Sequence, residues 1–372
     1  MHEFSSACAD GGDWRTLADT CLERLGTLPE GTNVGFVYIT DAVPADFDAL
    51  VTRLRDGSGI AHWVGTVGMG ISCGDQEYYE TPAAAVMAAS FPPDSFRVFG
   101  SLDAHLNELE DEHGDWRRRH DAGFAVVHGD PRSPVTAGLI PAFAGTEPST
   151  YLIGGLTSSN SEHFQYADGL CEGSLSGILF AGDVPVATTL SQGCSPLGPQ
   201  RVITDSDANV INTIDGRPAL DVFNEDIGEV LARDLRRAAG YVFVGLPIPG
   251  SDTGDYLVRN LVGVDTQGRR LGVGDMVRNG QPVMFCRRDG VSAWEDLERA
   301  MDSLLARVDR PIRGALYFSC LGRGRHLFGE NSEELKYVQE RLGGVPLVGF
   351  FANGEIANDQ LYGYTGVLTV FL

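Results

Sequence analysis

Apolar positions along this chain recur at two spacings, one suited to helices and one to strands. Between Asp13 and Leu28, the residues Leu17, Cys21, Leu25 and Leu28 share one stripe and predict a short amphipathic helix. Val34–Ile39 is apolar or aromatic apart from Gly35 and predicts a strand. Pro44 then opens a helix in which Phe47, Leu50, Val51 and Leu54 follow i, i+3, i+4, i+7, and Gly57 and Gly59 stop it. A second strand, Ile60–Val67, completes a strand–helix–strand unit.

The unit recurs. Phe124–His128, the connecting segment Pro134–Phe143 and Thr150–Gly154 form a second copy. Ala315–Cys320, a helix over Ser332–Leu342 and Val345–Gly349 form a third, with Asn331 and Glu334 spaced as a capping box. A half copy lies between them: helix Glu225–Ala239, then strand Tyr241–Gly245. The second strands share a signature: WVGTVGMG (63–70), LIGGLTSS (152–159), FVGLPIPG (243–250) and LVGFFANG (347–354). Glycine at a strand end permits close approach of a backbone or a ligand, or supplies φ > 0 for a turn. A turn glycine would account for any one copy. Four in register suggest internal duplication, with the loops on a common edge.

The remaining pattern is strand-rich. Ser176–Phe180 and Val184–Leu190 predict a hairpin around Gly182–Asp183. Val210–Ile214 leads into a turn at Asp215–Gly216, and Tyr256–Val264, Gly272–Val277 and Pro282–Arg287 read as a meander. Ala293–Val308 carries a helical stripe, and Tyr364–Phe371 closes the chain as a strand. Asp103–Asp121 is so charged that it reads as a solvated helix or loop. The fold class expected is α/β, with mixed β-sheets covered by helices and two domains holding internally repeated strand–helix–strand units. The expected division is an N-terminal helix over residues 1–30, a first domain over 31–220 and a second over 221–372.

Composition narrows the partners. A length of 372 residues suits two domains, and 43% hydrophobic content suits ordinary cores. The net charge of −23, with Lys336 the single lysine, argues against nucleic acid and anionic membrane surfaces. Residues 1–12 lack a basic region and an apolar stretch, and no run approaches a spanning length, so a cytoplasmic protein is expected. The seven cysteines (8, 21, 73, 171, 194, 286 and 320) are scattered without a C-x-x-C pair, which suits reduced thiols.

Several chemistries are missing. There is no Walker A loop before Lys336, no H-E-x-x-H and no G-x-S-x-G; GSLSG at 173–177 has Leu175 at its centre. Asp205-x-Asp207-x-Asn209 fails as a calcium loop and reads as a turn. Gly322-x-Gly324-x-x-Leu327 misses the third glycine of a dinucleotide fingerprint. No catalytic motif supports an enzyme.

Three constellations and the histidines remain. In CLGRGRHLFGE (320–330), Gly322 and Gly324 suit an amide nest, and Arg323 and Arg325 suit a carboxylate or phosphate, or equally one of the 51 acidic side chains. In GFFANGEIA (349–357), Glu355 follows a glycine loop at a strand end, where α/β proteins tend to bind ligands. In SQGCSPLG (191–198), Gln192 offers hydrogen bonds, and Cys194 is either a buried inert thiol or a reactive one. A thiol-dependent enzyme would use Cys194 or Cys320. No histidine pair has metal-ligand spacing, although one histidine can hold a haem axially; His326, His62 and His128 are the candidates.

Together these motifs resemble the FIST sensory proteins, from about residue 30 to the end. The N-terminal half resembles that family's N-terminal domain through VGTVGMG, YLIGGLTSS and the run from Ser191 to Val222. The C-terminal half resembles its C-terminal domain through Cys320-Leu-Gly-Arg323-Gly324 and Gly349-Phe350-Phe-Ala-Asn353-Gly354-Glu355. The resemblance implies a signal-input protein for small ligands, with amino acids or their derivatives the usual suggestion. Haem-binding nitric-oxide sensing and protein-interaction scaffolding are its alternatives. No kinase, cyclase or F-box segment is seen, so any output is expected through a separate partner protein or from the two domains alone. The expected ligand-binding residues are Arg323, Gly324, Gly349, Phe350, Asn353, Gly354, Glu355, Gly154, Gly155, Ser158, Gln192, Gly193, Cys194 and Cys320. Arg323 would take the carboxylate of a zwitterion and Glu355 its ammonium.

Overall fold

A computed structural model describes residues 3–103, 105–232, 241–248 and 256–372. The protein divides into two compact units, one of residues 1–191 with 297–372, the other of residues 192–296. The chain thus leaves its first unit, builds the second, and returns.

All three predicted strand–helix–strand copies lie in the first unit. Val34–Thr40 pairs in parallel with His62–Gly68, Phe124–Gly129 with Tyr151–Leu156, and Gly314–Cys320 with Leu347–Ala352. The intervening helices are Phe47–Ser58, Thr136–Ala144 and Glu333–Arg341. Each parallel pair is the centre of its own sheet. A later strand returns antiparallel beside the first member of each pair: Ala83–Ala89, Leu175–Phe180 and Thr365–Phe371. Beside the second member lies a strand borrowed from another copy. Gly70–Cys73 pairs with Leu347–Ala352, Gln165–Ala167 with His62–Gly68, and Glu355–Ala357 with Tyr151–Leu156. Each copy therefore gives a short hairpin to a different sheet, and the exchange runs in a closed cycle. Edge strands Phe4–Asp10, Phe96–Leu102 and Val186–Gln192 complete the three sheets.

The signature glycine has one explanation in all three copies. Gly65 faces Val37, Gly154 faces Val127 and Gly349 faces Tyr317, the central residue of each partner strand. A Cβ there would sit 1.6, 1.8 and 1.7 Å from that residue's carbonyl oxygen. The glycine permits close backbone approach between the paired strands. The fourth signature, at Gly245, is different. Its strand, Val242–Pro247, belongs to the second unit and has antiparallel neighbours on both sides. A Cβ at Gly245 would meet only side chains, Met284 at 3.0 Å and the Tyr256 ring at 3.2 Å. The expectation of four equivalent loops therefore reduces to three. The end of the fourth loop, and the predicted helix from residue 233 on, lie outside the described residues.

Each sheet of the first unit buries one face under helices. Leu17, Cys21, Leu50 and Leu54 pack on Val37, Ile39 and Val86 in the first sheet. Trp116, Ile140 and Phe143 cover the second, and Leu304, Leu335 and Val338 the third. The opposite faces meet on aromatic side chains. Tyr38, His128 and Phe318 occupy the same position in their three strands, and their ring centroids are 5.6, 6.0 and 6.3 Å apart.

Other expectations are corrected. The hairpin around Gly182–Asp183 does not form: Leu175–Phe180 and Val186–Gln192 join different sheets. The charged 103–121 segment is a helix, Asn107–His120, but it is not wholly solvated. Its Leu109, Trp116 and Arg117 are buried, with Arg117 donating to Thr146 Oγ1, the Pro148 carbonyl and Thr150 Oγ1. The proposed capping box also fails. Ser332 takes the N-cap position, and Glu334 turns inward. The second unit is an antiparallel sheet over its own core of Ile203, Ile211, Phe223, Val244 and Phe285.

Candidate functional site

The three strand-end turns of the first unit converge on Ser158. Its Oγ accepts from the Met69 backbone N–H at 2.9 Å and donates to the Phe351 carbonyl. Gly155 pairs with Glu355 and Gly154 with Ile356, while Asn353 N–H donates to the Leu156 carbonyl at 3.0 Å. Gly154, Gly155, Ser158, Phe350, Asn353, Gly354 and Glu355, far apart in sequence, thus share one neighbourhood. Gln192, Gly193 and Cys194 belong to the second unit. There Gln192 N–H donates to Asp296 at 2.6 Å, and the Tyr256 hydroxyl donates to the Cys194 carbonyl.

Glu355 is fully buried at the start of its strand. Oε2 accepts from the Thr365 backbone N–H at 3.1 Å and hydroxyl at 2.8 Å, whereas Oε1 has no hydrogen-bond partner. Burial pushes its pKa up to about 7, against the pull of Thr365, the Cys320 thiol and the Arg323 charge. Burial, with the Glu355 charge beside it, pushes the Cys320 thiol up and so favours its protonated form at neutral pH.

Arg323 does not reach toward a ligand. It is fully buried, and its Nε and a terminal nitrogen lie 2.9 and 2.6 Å from Glu334 Oε1. A further bond of 2.9 Å runs to Ser191 Oγ. Glu334 also accepts from Tyr317 OH, Ser319 OH and the Gly324 N–H. A buried guanidinium with a carboxylate this fully bonded is a structural clasp between the loop and the following helix. The expected pairing of Arg323 with a ligand carboxylate is therefore corrected: its carboxylate is Glu334. Gly324 is required by space and by backbone. Its φ is +51°, and a Cβ would come within 2.4 Å of the Tyr79 hydroxyl and 2.6 Å of the Phe351 ring.

Sequence reasoning missed the other wall of this loop. The Gln76–Tyr79 strand brings Glu77, whose Oε2 accepts from the Arg325 N–H and Tyr79 OH, both at 3.0 Å. Glu77 Oε1 is buried and unpartnered. Burial first, and then the Glu334 charge, raise its pKa to about 7. Arg325 stacks over the Tyr79 ring at 4.4 Å and pairs at 2.8 Å with the exposed Glu80. The 320–328 loop is thus flanked by two carboxyls, Glu77 and Glu355, each with one orphan oxygen. Nothing in the sequence around Glu77 marks it, because the hairpin that delivers it is paired 275 residues away: Ile71 opposes Phe350 and Cys73 opposes Val348.

The three candidate histidines do not suit haem. His128 is fully buried, with Nε2 3.3 Å from the Tyr38 hydroxyl, Nδ1 unpartnered and burial holding its pKa down at about 3. The Tyr38, Phe318 and Phe350 rings pack 5.6 to 6.3 Å from it and leave no slot for a macrocycle. His62 is half-buried and bonded to Asp168 at 2.7 Å, and His326 is exposed on the short Arg325–Phe328 helix. Two open clefts, of about 400 Å³ beside Asp207 and Arg270 and about 450 Å³ beside Asn33 and Phe91, are lined by none of the three. Among the described residues no cluster of His, Cys, Asp or Glu suits a metal ion, and no helix is long and apolar enough to cross a membrane.

Buried ionisable groups gather at the ends of parallel strands in a mixed-sheet α/β fold, the place where such folds tend to bind ligands. The chain belongs to the FIST family: the FIST N domain matches residues 33–217 and the FIST C domain residues 219–358. FIST domains are regarded as sensory domains that bind small ligands. An uncharacterized protein of Mycobacterium tuberculosis is 33% identical over 325 residues, 83% of either chain. An uncharacterized protein of Mycobacterium bovis is 32% identical over 241 residues, covering 60% of this chain and 61% of its own.

Proposed function

We propose that this protein is a small-molecule sensor whose ligand engages the 320–328 loop through its two flanking carboxyls. The observation that carries the reading is Glu355 Oε1, a fully buried carboxyl oxygen without a partner, at the meeting point of residues from both family regions. A buried acceptor left unsatisfied is costly, and a ligand N–H or O–H would relieve it. The ligand class favoured is a primary amine or amidine, with amino acids included through their ammonium group. An amino acid's carboxylate would meet Arg325, since the exposed Glu80 is a weaker competitor than the buried Glu334.

The test is a thermal-shift and calorimetric panel of amines, amino acids and neutral isosteres at pH 8, on wild type and on Glu355→Gln. Amines are expected to stabilise the wild type and to lose at least tenfold in affinity on Glu355→Gln. No response at millimolar amine, or an unchanged response in the variant, overturns the assignment. Haem loading is expected to give no Soret band.

A further inference from the structure

A second chemistry lies away from this loop, on three cysteines that the fold brings together. Cys8 sits in the Phe4–Asp10 edge strand, Cys21 on the Trp14–Leu25 helix, and Cys73 at the end of the Gly70–Cys73 strand. Ala7 and Ala9 face the helix-covered core, so Cys8, between them, points to the opposite face. There the Cys73 thiol is hydrogen-bonded to the Cys8 sulfur, and the Tyr78 hydroxyl donates to it at 3.4 Å. Arg24 donates to the Cys8 carbonyl and places its charge beside the sulfur. Cys8 is partly exposed, whereas Cys73 is 5% exposed and Cys21 fully buried. One accessible sulfur therefore has a second thiol in contact, two hydrogen-bond donors and a cation, an arrangement that stabilises its thiolate.

We propose that Cys8 and Cys73 form a hydroperoxide-responsive dithiol, with Cys8 as the attacking sulfur and Cys73 as the resolving one. The Cys8 thiolate attacks one peroxide oxygen and the O–O bond breaks. A sulfenic acid is left on Cys8, and the departing oxygen leaves as alcohol or water after taking a proton. Cys73 sulfur then attacks Cys8 sulfur, the S–S bond forms, and the sulfenic oxygen leaves as water with the Cys73 proton. Two thiols and one hydroperoxide give one disulfide, one alcohol or water, and one water. The bond would tie the edge of the first sheet to a strand of the third.

The electrostatics agree with these roles. The Cys73 hydrogen bond, then Tyr78 and Arg24, hold the Cys8 thiol down at about 6 despite its burial. The Cys8 contact first, and then burial, push Cys73 well up, and burial pushes Cys21 up to about 12. At pH 7 Cys8 carries about 90-fold more thiolate than an ordinary thiol, offset about 20-fold by its weaker nucleophilicity. The net expectation is alkylation several-fold faster than a free cysteine, with a midpoint near pH 6.

The test is peroxide titration of the full chain, quenched with alkylating agent in denaturant and read by intact mass and non-reducing peptide mapping. Seven alkylatable thiols are expected to fall to five, with Cys8 and Cys73 in one cross-linked peptide. Cys73→Ser is expected to stop at a dimedone-trappable Cys8 sulfenic acid, and Cys8→Ser to keep its remaining thiols. A wild-type protein whose Cys8 still alkylates after excess peroxide overturns the proposal. So does a disulfide mapped only to another pair, such as Cys194 with Cys286, whose side chains also touch within the second unit.

Discussion

Glu355 offers a measurement in which one proton reports the burial of one group. In the unfolded chain its carboxyl titrates near the ordinary 4.5, and in the folded protein near 7. The folded pKa is raised, so the group's contribution is fully present below 4.5 and is lost as pH rises through 7. Each pH unit across that window is worth about 1.4 kcal/mol, for a total of about 3 kcal/mol. Glu355→Gln keeps an oxygen for Thr365 and has nothing to ionise. Its stability relative to wild type should therefore climb by about 3 kcal/mol between pH 4.5 and pH 8. Glu77 titrates in the same window in both proteins and cancels in the difference. Urea unfolding at four pH values, followed by tryptophan fluorescence, is the assay. Trp14, Trp63 and Trp116 report on the first unit and Trp294 on the second. A difference that stays flat with pH, or that falls, refutes the reasoning.

Further outcomes follow from the same contacts. Arg323→Ala leaves Glu334 buried without its partner and is expected to cost about 3–5 kcal/mol, while an apolar replacement of both costs much less; denaturant midpoints decide. Alanine at Gly65, Gly154 or Gly349 drives a Cβ into a carbonyl and should abolish folding of the first unit. Gly245→Ala meets only side chains, those of Met284 and Tyr256, and should cost about 1 kcal/mol, as read by circular dichroism and melting. Asp13→Ala removes the 2.9 Å bond that caps the Trp14–Leu25 helix and should cost about 1 kcal/mol in the same melts.

The local grammar of this fold was legible and its long-range pairing was not. The three strand–helix–strand copies could be read from apolar spacing, because each is a contiguous segment whose core face repeats every three or four residues. The shared glycine was legible as a signal but not in its cause, since the carbonyl it accommodates belongs to a neighbouring strand. Glu355 stood out through its place after a glycine loop. Its partner Thr365 and the opposite wall at Glu77 did not, because hairpins donated between sheets leave no local mark. Arg323 was misread for the same reason that Glu334 was. Helix spacing made Glu334 a plausible capping partner, while only the three-dimensional contact reveals that the two clasp each other. The Phe4–Asp10 strand escaped notice because its small, polar-rich sequence carries almost no apolar signal.

The cyclic loan of hairpins has a consequence for how the chain is made. The Gly70–Cys73 strand is synthesised some 275 residues before its partner Leu347–Ala352. At about 5–20 residues per second, the wait is on the order of 15–60 s. Throughout it an open strand edge is exposed to other nascent chains, a recognised route to aggregation. The two family regions cannot relieve this by folding in turn, since each sheet of the first unit but one contains strands from both. Production of this protein should therefore be limited by delivery of the second family region to the first, and cutting it at the family boundary should yield two insoluble pieces.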